Sequence, residues 1–199
     1  MAATLLLIRH AAHIHFNRQL SGRMPGVPLS GEGREQAAAL GHRLADAGVQ
    51  HLWTSPLDRT VATAEAIATH CGLPEPRVVY DLVEIDMGDW TGRAFGTFGD
   101  DPDWRAWNEQ RATARIPGGE SMAEAQSRIV SIMERALREH DGETVAIVSH
   151  SDMIKAAICH ALGLSLDGMS RFDIEPASVS RIVIGDWGSK VMTLNEGVY

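Results

Sequence analysis

Arg9-His10 follows the apolar run Leu5-Leu6-Leu7-Ile8, Arg59 follows Ser55-Pro56-Leu57-Asp58, and His150 follows the apolar run Val145 to Val148. A histidine offers a nitrogen that attacks or passes a proton near neutral pH, and a guanidinium is a planar fork matched to phosphoryl oxygens. Arg59 is the most telling of these residues. A cation in the first turn of a helix opposes the helix dipole, at roughly a few tenths of a kcal/mol or more. A bound anion reverses that balance, and a helix N-terminus adds its own N–H groups. Taken singly, a histidine at a strand end is usually a hydrogen-bonded structural residue and an arginine a surface ion pair. At matching junctions they describe one site for the terminal oxygens of a phosphoryl group.

The elements that must position this set follow from the pattern around it. Leu5 to Ile8 is continuously apolar, as a strand buried on both faces would be. Ser30 caps a helix that Gly48 stops, with Ala37, Leu40 and Leu44 on one face. His51 to Thr54 reads as a second strand. Ser55 then serves as N-cap, with Pro56 at the first helical position and Asp58 at the third, opening a helix that runs to about Cys71 before Gly72 and Pro74. Residues 81–120 are rich in helix breakers and hold Trp90, Trp104 and Trp107. They read as a long insertion over the sheet, of the kind that forms lids. Ser121-Met122-Ala123-Glu124 is a capping box before the stripe Met122, Ala125, Ile129, Ile132, Met133, Ala136, Leu137. Thr144 to Val148 is another buried strand, followed by Ser149-His150-Ser151-Asp152 and another helix through Leu162, and residues 181–184 and 191–194 flank a hairpin turn at Gly185-Asp186-Trp187-Gly188-Ser189. The alternation predicts an α/β fold, a three-layer α/β/α sandwich with a largely parallel central sheet, in a single domain over 1–199. Ligands in such folds gather at the carboxyl ends of the strands.

Whole-chain properties narrow the partners. A formal charge of −8, from 18 basic and 26 acidic residues, excludes a broad basic footprint, so no nucleic acid or membrane partner is expected. Cys71 and Cys159 form no CxxC pair, which suits a reducing, cytoplasmic location. The first apolar run is too short for a signal peptide or a span.

The ordered set Arg9-His10-Ala11, Leu29-Ser30-Gly31-Glu32-Gly33-Arg34-Glu35-Gln36-Ala37, Thr54-Ser55-Pro56-Leu57-Asp58-Arg59-Thr60 with Thr63-Ala64, Glu84-Ile85-Asp86-Met87-Gly88-Asp89-Trp90-Thr91-Gly92 and Val148-Ser149-His150 resembles the histidine phosphatase superfamily, the phosphoglycerate mutase-like group, over nearly the whole chain. The resemblance implies a phosphomonoester hydrolase with no cofactor. It implies His10 as the nucleophile, Arg9, Arg59 and His150 as the phosphate pocket, and Glu84 as the proton donor. Neighbouring arginines would keep His10 unprotonated, and one carboxyl would act first as acid and then as base. Asn17 and Ser21 would add phosphate contacts, although the spacing from His10 to Asn17 is one residue longer than usual. Ala11 and Ser151 stand where the family more often has glycine, and each keeps a backbone N–H for phosphate. Ser151 is counted with the substrate-binding residues.

Three other readings stand beside this one. A cofactor-dependent phosphoglycerate mutase would return the phosphoryl group instead of losing it to water, and a non-catalytic relative would only bind phosphate ligands. A metal site at His10, His13 and His15 is weak, since alternating loop positions lack carboxylate or cysteine partners. His13 and His15 are expected at the pocket mouth, the tryptophans beneath the insertion, and most of Arg93, Arg105, Arg111 and Arg115 on a solvated face. The expected partner is a small phosphorylated metabolite, and a homodimer is compatible with the chain.

Overall fold

Alternate residues of the first strand feed two separate halves of the core. In the computed structural model, which describes residues 1–197, strand β1 spans Ala2–Arg9. Its Leu6 and Ile8 pack with residues of helices α1 (Gly31–Leu44) and α2 (Asp58–Cys71). Ala3, Leu5 and Leu7 pack with residues of α4 (Met122–Glu139) and α5 (Ser151–Leu162) on the other face. Strand β4 (Thr144–Ser149) divides in the same way, Ala146 and Val148 to one side and Val145 and Ile147 to the other. A strand with both faces buried shows no polar alternation, which is why these runs are continuously apolar.

The sheet completes with β2 (His51–Thr54), the two-residue edge strand β3 (Arg77–Val78), and the hairpin β5 (Val179–Gly185) and β6 (Gly188–Glu196). The order is β3-β2-β4-β1-β5-β6, parallel from β3 through β1 and antiparallel across β1-β5 and β5-β6. This is the largely parallel α/β/α sandwich expected from the alternation.

Several local expectations hold in detail. Ser30 Oγ accepts from Gly33 N–H at the start of α1, and Ser121 and Glu124 form the reciprocal capping box of α4. Helix α1 ends at Leu44, short of Gly48. Gly33 is required by contact: a Cβ there would lie 1.8 Å from the Ala12 carbonyl oxygen, so the first turn of α1 presses against the loop that follows His10. Ser55 differs from its expected part. Helix α2 begins at Asp58 with Leu57 as N-cap and no side-chain cap bond, because the Ser55 hydroxyl is engaged elsewhere.

Residues 81–120 fold as short 3-10 turns and helix α3 (Pro102–Glu109) around an aromatic cluster. Trp90 stands edge-on to Phe98, Trp104 and Trp107, and Trp104 stacks on Phe98 at 4.0 Å. Trp90 and Trp107 are buried, and Trp104 and Trp107 both line the cavity described next.

Candidate active site

Three parallel strands end at one level. Strand β4 lies between β1 and β2, with Arg9 opposite Ser149 and Thr54 opposite Val148. The ladder runs one residue further on each side, from His10 N–H to the Ser149 carbonyl and from Ser55 N–H to the Val148 carbonyl, both at 3.0 Å. His10, Ser55 and His150 therefore leave the sheet side by side, and Arg59 comes from the first turn of α2. The rings of His10 and His150 lie 5.2 Å apart.

Hydrogen-bond chemistry assigns the state of His10. Its Nδ1 lies 2.8 Å from the Ala11 carbonyl oxygen, which can only accept, so the ring proton sits on Nδ1. Nε2 is then the lone pair, and it receives the Arg59 Nε–H at 3.2 Å. Burial, then Arg59, then Arg9 hold the His10 pKa well below its ordinary value. The result is a neutral imidazole, lining the cavity, whose Nε2 lone pair meets Arg59. The Ala11 N–H donates to Thr63 Oγ1 at 3.1 Å, so it does not face phosphate as the sequence suggested; Thr63 instead pins the loop.

The two arginines are the unusual feature. Arg59 is 2% exposed, and Arg9 is largely enclosed. Among the described residues neither is in a salt bridge: Arg9 Nη1 donates to the Ile174 carbonyl and Arg59 Nη2 to the Gly22 carbonyl. Arg9 Nε and Arg59 Nη1 are buried with no partner at all. Burial lowers the pKa of both guanidinium groups. Buried charges without an opposite charge are strongly disfavoured, and an anion between them would satisfy both the charge and the idle N–H groups.

Glu84 enters from the 81–120 segment. It is 9% exposed, and burial, aided by Asp152, raises its pKa to about 7 against the pull of Arg59 and Arg9. One of its carboxyl oxygens accepts from the Ile85 N–H, and the other lies 3.9 Å from His150 Nδ1. Arg23, unnoticed in the sequence, secures this loop by donating to the Glu84 carbonyl at 2.7 Å and pairing with Glu120 at 2.9 Å. Gly88 allows the same loop to close. It has a φ of +44°, and a Cβ there would lie 2.2 Å from the Pro117 carbonyl oxygen.

His150 is fully buried and held by Ser55, whose Oγ lies 2.8 Å from Nε2. A hydroxyl both donates and accepts, so Ser55 supports either tautomer of His150. Nδ1 lies 3.4 Å from Arg59 Nη2 and points into the site. No local signal marked Ser55 for this task, because its partner is 95 residues away.

All eight residues expected at the site fall in or beside one cavity of about 510 Å³. Arg9, His10, Asn17, Ser21, Arg59, Glu84 and Ser151 line it, and His150 lies directly beneath through Arg59 and Glu84. Asn17 has a φ of 57°, which asparagine tolerates, and Ser21 Oγ lies 3.4 Å from His15 Nδ1. His13 lines the mouth with its pKa lowered to about 4 by burial and then Arg59. Arg93 and Arg115 pair with Asp101 and Glu124 on the surface, whereas Arg111 turns into the cavity.

Metal-ligating types meet elsewhere. At the amino ends of β2 and β4, His51, His140 and Glu143 hold ligand atoms within 4.8 Å of one another. The two imidazoles stack at 3.7 Å with 24° between planes. Both meet the same Glu143 oxygen, at 2.7 and 3.2 Å, which accounts for the cluster by hydrogen bonding.

Comparison with known proteins bears on this geometry. The family model described as the histidine phosphatase superfamily (branch 1) matches residues 5–197. Phosphoserine phosphatase 1 of Hydrogenobacter thermophilus is 32% identical, over 96% of this chain and 91% of its own. A Salmonella paratyphi B protein named Probable phosphoglycerate mutase GpmB is 31% identical, over 88% of this chain and 82% of its own. The mycobacterial glucosyl-3-phosphoglycerate phosphatase Rv2419c, solved with VO3, superposes with a TM-score of 0.88 at 25% identity, covering 98% of this chain and 99% of that one.

Proposed function

The chain belongs to the histidine phosphatase superfamily, and from that premise we propose that it hydrolyses small phosphomonoesters through a phosphohistidine on His10. Arg9, Arg59 and His150 bind the phosphoryl oxygens, with Asn17, Ser21 and Ser151 at the rim. His10 Nε2 attacks phosphorus as the bond to the leaving oxygen breaks, and the Glu84 proton passes to that oxygen. Water then gives a proton to the Glu84 carboxylate and its oxygen to phosphorus. The P–N bond breaks, its electron pair returns to Nε2, and inorganic phosphate departs.

The observation that carries this reading is the pair of buried guanidinium groups with idle N–H bonds around a neutral imidazole. Donors already placed where charge develops need no reorganisation during the reaction. Glu84 supports it independently: with its pKa raised to about 7, the carboxyl holds a proton in a large fraction of molecules near neutral pH and is a competent base after giving that proton up. A non-catalytic role leaves that perturbation without a use.

The test is a screen of phosphomonoesters without added metal, beside His10→Ala. Turnover with an acid-labile phosphoenzyme in the parent, and neither in the variant, is the expected outcome. Retained turnover in His10→Ala overturns the nucleophile assignment. Isomerisation of phosphoglycerate stimulated by bisphosphoglycerate, with little release of phosphate, overturns hydrolysis in favour of the mutase reading.

A further inference from the structure

Four consecutive backbone carbonyls lead up to the Glu84 side chain, and each is held by a side chain from another part of the fold. Arg128 of α4 donates from Nη1 to the Asp81 and Val83 carbonyls at 2.7 and 3.0 Å. Ser149 Oγ, at the end of β4, donates to the Leu82 carbonyl at 2.9 Å, and Arg23 Nε donates to that of Glu84 at 2.7 Å. Irregular backbone must satisfy its polar groups outside the regular ladders, and here every partner bears on one short segment.

A single carboxylate oxygen joins the two arginines. Glu120 Oε2 accepts from Arg23 Nη2 and from Arg128 Nη2, both at 2.9 Å, and from the Asp86 N–H at 3.0 Å. The Glu120 N–H returns a bond to the Asp86 carbonyl, so the bridge grips the chain on both sides of Glu84. It also ties the acid to the phosphate pocket. Arg23 follows Gly22, whose carbonyl accepts from Arg59 Nη2 at 2.7 Å, so adjacent residues hold the guanidinium assigned to the phosphoryl group and the backbone of the proton donor. Proton transfer needs the donor within hydrogen-bond reach of the leaving oxygen, and a misplacement of about 1 Å costs roughly 10²-fold.

Resting on the phosphatase reading above, we propose that Arg23, Glu120 and Arg128 are positioning residues for the general acid. Their shared bridge fixes the Glu84 carboxyl relative to the phosphate pocket, so that it delivers its proton to alkoxides that leave poorly and then takes one from the attacking water.

The experiment uses leaving groups to separate position from general integrity. Dinitrophenolate departs from 2,4-dinitrophenyl phosphate without a proton, whereas the alkoxide of glycerol 2-phosphate needs one. The quantity read is the ratio of kcat/KM on glycerol 2-phosphate to kcat/KM on the dinitrophenyl ester, since kcat/KM covers the steps through departure of the leaving group. In Glu120→Gln and in Arg23→Met this ratio is expected to fall about tenfold or more, in the same direction as in Glu84→Gln and by less. Dinitrophenolate should also appear in a burst, because the misplaced carboxyl is slow to activate water against the phosphohistidine. Equal losses on the two substrates, or a ratio within about twofold of the parent, overturn the positioning role. If Glu120→Gln fails to fold, Arg23→Met decides alone, at a side chain one-third exposed. A parent that forms the phosphoenzyme but releases no phosphate overturns hydrolysis, and the same ratio, taken from rates of phosphoenzyme formation, still decides the bridge. A parent that neither turns over nor is phosphorylated by either compound overturns both claims.

Discussion

At the carboxyl edge of the sheet His10, His150 and Glu84 stand enclosed between two arginines, and at the opposite edge His51, His140 and Glu143 stand partly open to water. The residue types are the same, yet the glutamates are shifted in opposite directions. Burial lifts Glu84 to about 7, while hydrogen bonds from His51 and His140 pull Glu143 below its ordinary 4.5. The difference teaches that side-chain type does not make a site. At the carboxyl edge the polar groups are kept apart or turned toward the cavity, so their capacity is unspent. At the amino edge His51 Nε2 and His140 Nδ1 both spend their capacity on one Glu143 oxygen, and of the buried nitrogens there only His140 Nε2 is left without a partner among the described residues.

The contrast can be broken most sharply by removing one histidine from each edge. His10→Ala is expected to lower kcat by roughly 10⁴-fold or more, as loss of a nucleophile does, whereas His51→Ala is expected to stay within about twofold. Steady-state assays on one phosphomonoester check both. Comparable losses would mean that the two edges are coupled in a way the geometry does not suggest.

Charge deletion is expected to rank next. Arg59→Met removes a donor placed for the phosphoryl oxygens and should lower kcat/KM by roughly 10²–10³-fold. Competition by vanadate or inorganic phosphate, weakened in parallel, would show that the loss lies in anion binding.

The pH profile sharpens the comparison of the two glutamates. Glu84 must begin protonated, so kcat is expected to fall about tenfold per unit as pH rises above about 7. The low pKa of His10 keeps its Nε2 free well below the ordinary 6.5, which leaves the acid side flat over that range. Stability moves with Glu84 as well. Its folded pKa lies above the unfolded 4.5, so the stability present below 4.5 is lost as pH rises through about 7. Glu84→Gln should therefore lose the alkaline fall in activity and raise Tm relative to the parent above that pH. An unchanged alkaline limb would assign the limb to another group.

Smaller effects complete the series. Ser55→Ala is expected to lower kcat about tenfold by leaving a buried imidazole nitrogen without its partner, with Ser55→Thr restoring part of the loss. Glu143→Gln should leave kinetics unchanged and lower Tm slightly near neutral pH. Since the folded pKa of Glu143 lies below 4.5, its contribution is present above that value and disappears as pH falls through the folded pKa, so the Tm difference should vanish in acid.

Four of the candidate site residues, Arg9, His10, Arg59 and His150, were readable from the chain because they sit at junctions with a local signature. An apolar run ending in Arg9-His10, a helix opening at Asp58-Arg59 and a strand ending before His150 are patterns within a few neighbours, governed by backbone periodicity and capping. The order of these motifs carried the family resemblance, and with it the part assigned to Glu84. Even there a local reading misled once: Ser55 has the type and place of an N-cap, but a buried histidine competes for its hydroxyl and wins.

What folding alone decided is set by separation in space between residues far apart in sequence. Ser55 meets His150, Arg23 grips the Glu84 loop, and Arg111 meets Asp152 only because parallel strands and the 81–120 segment bring them together. Whether a charge is paired, and whether a carboxyl is protonated at neutral pH, depends on enclosure and on neighbours within a few ångströms. Neither is written in spacing along the chain. The sequence by itself determined which residue types stand at the strand ends; the tertiary structure decided that, among the described residues, Arg9 and Arg59 are without an ion pair while Arg111 and Lys155, which line the same cavity, are paired, because burial and pairing are properties of the folded arrangement.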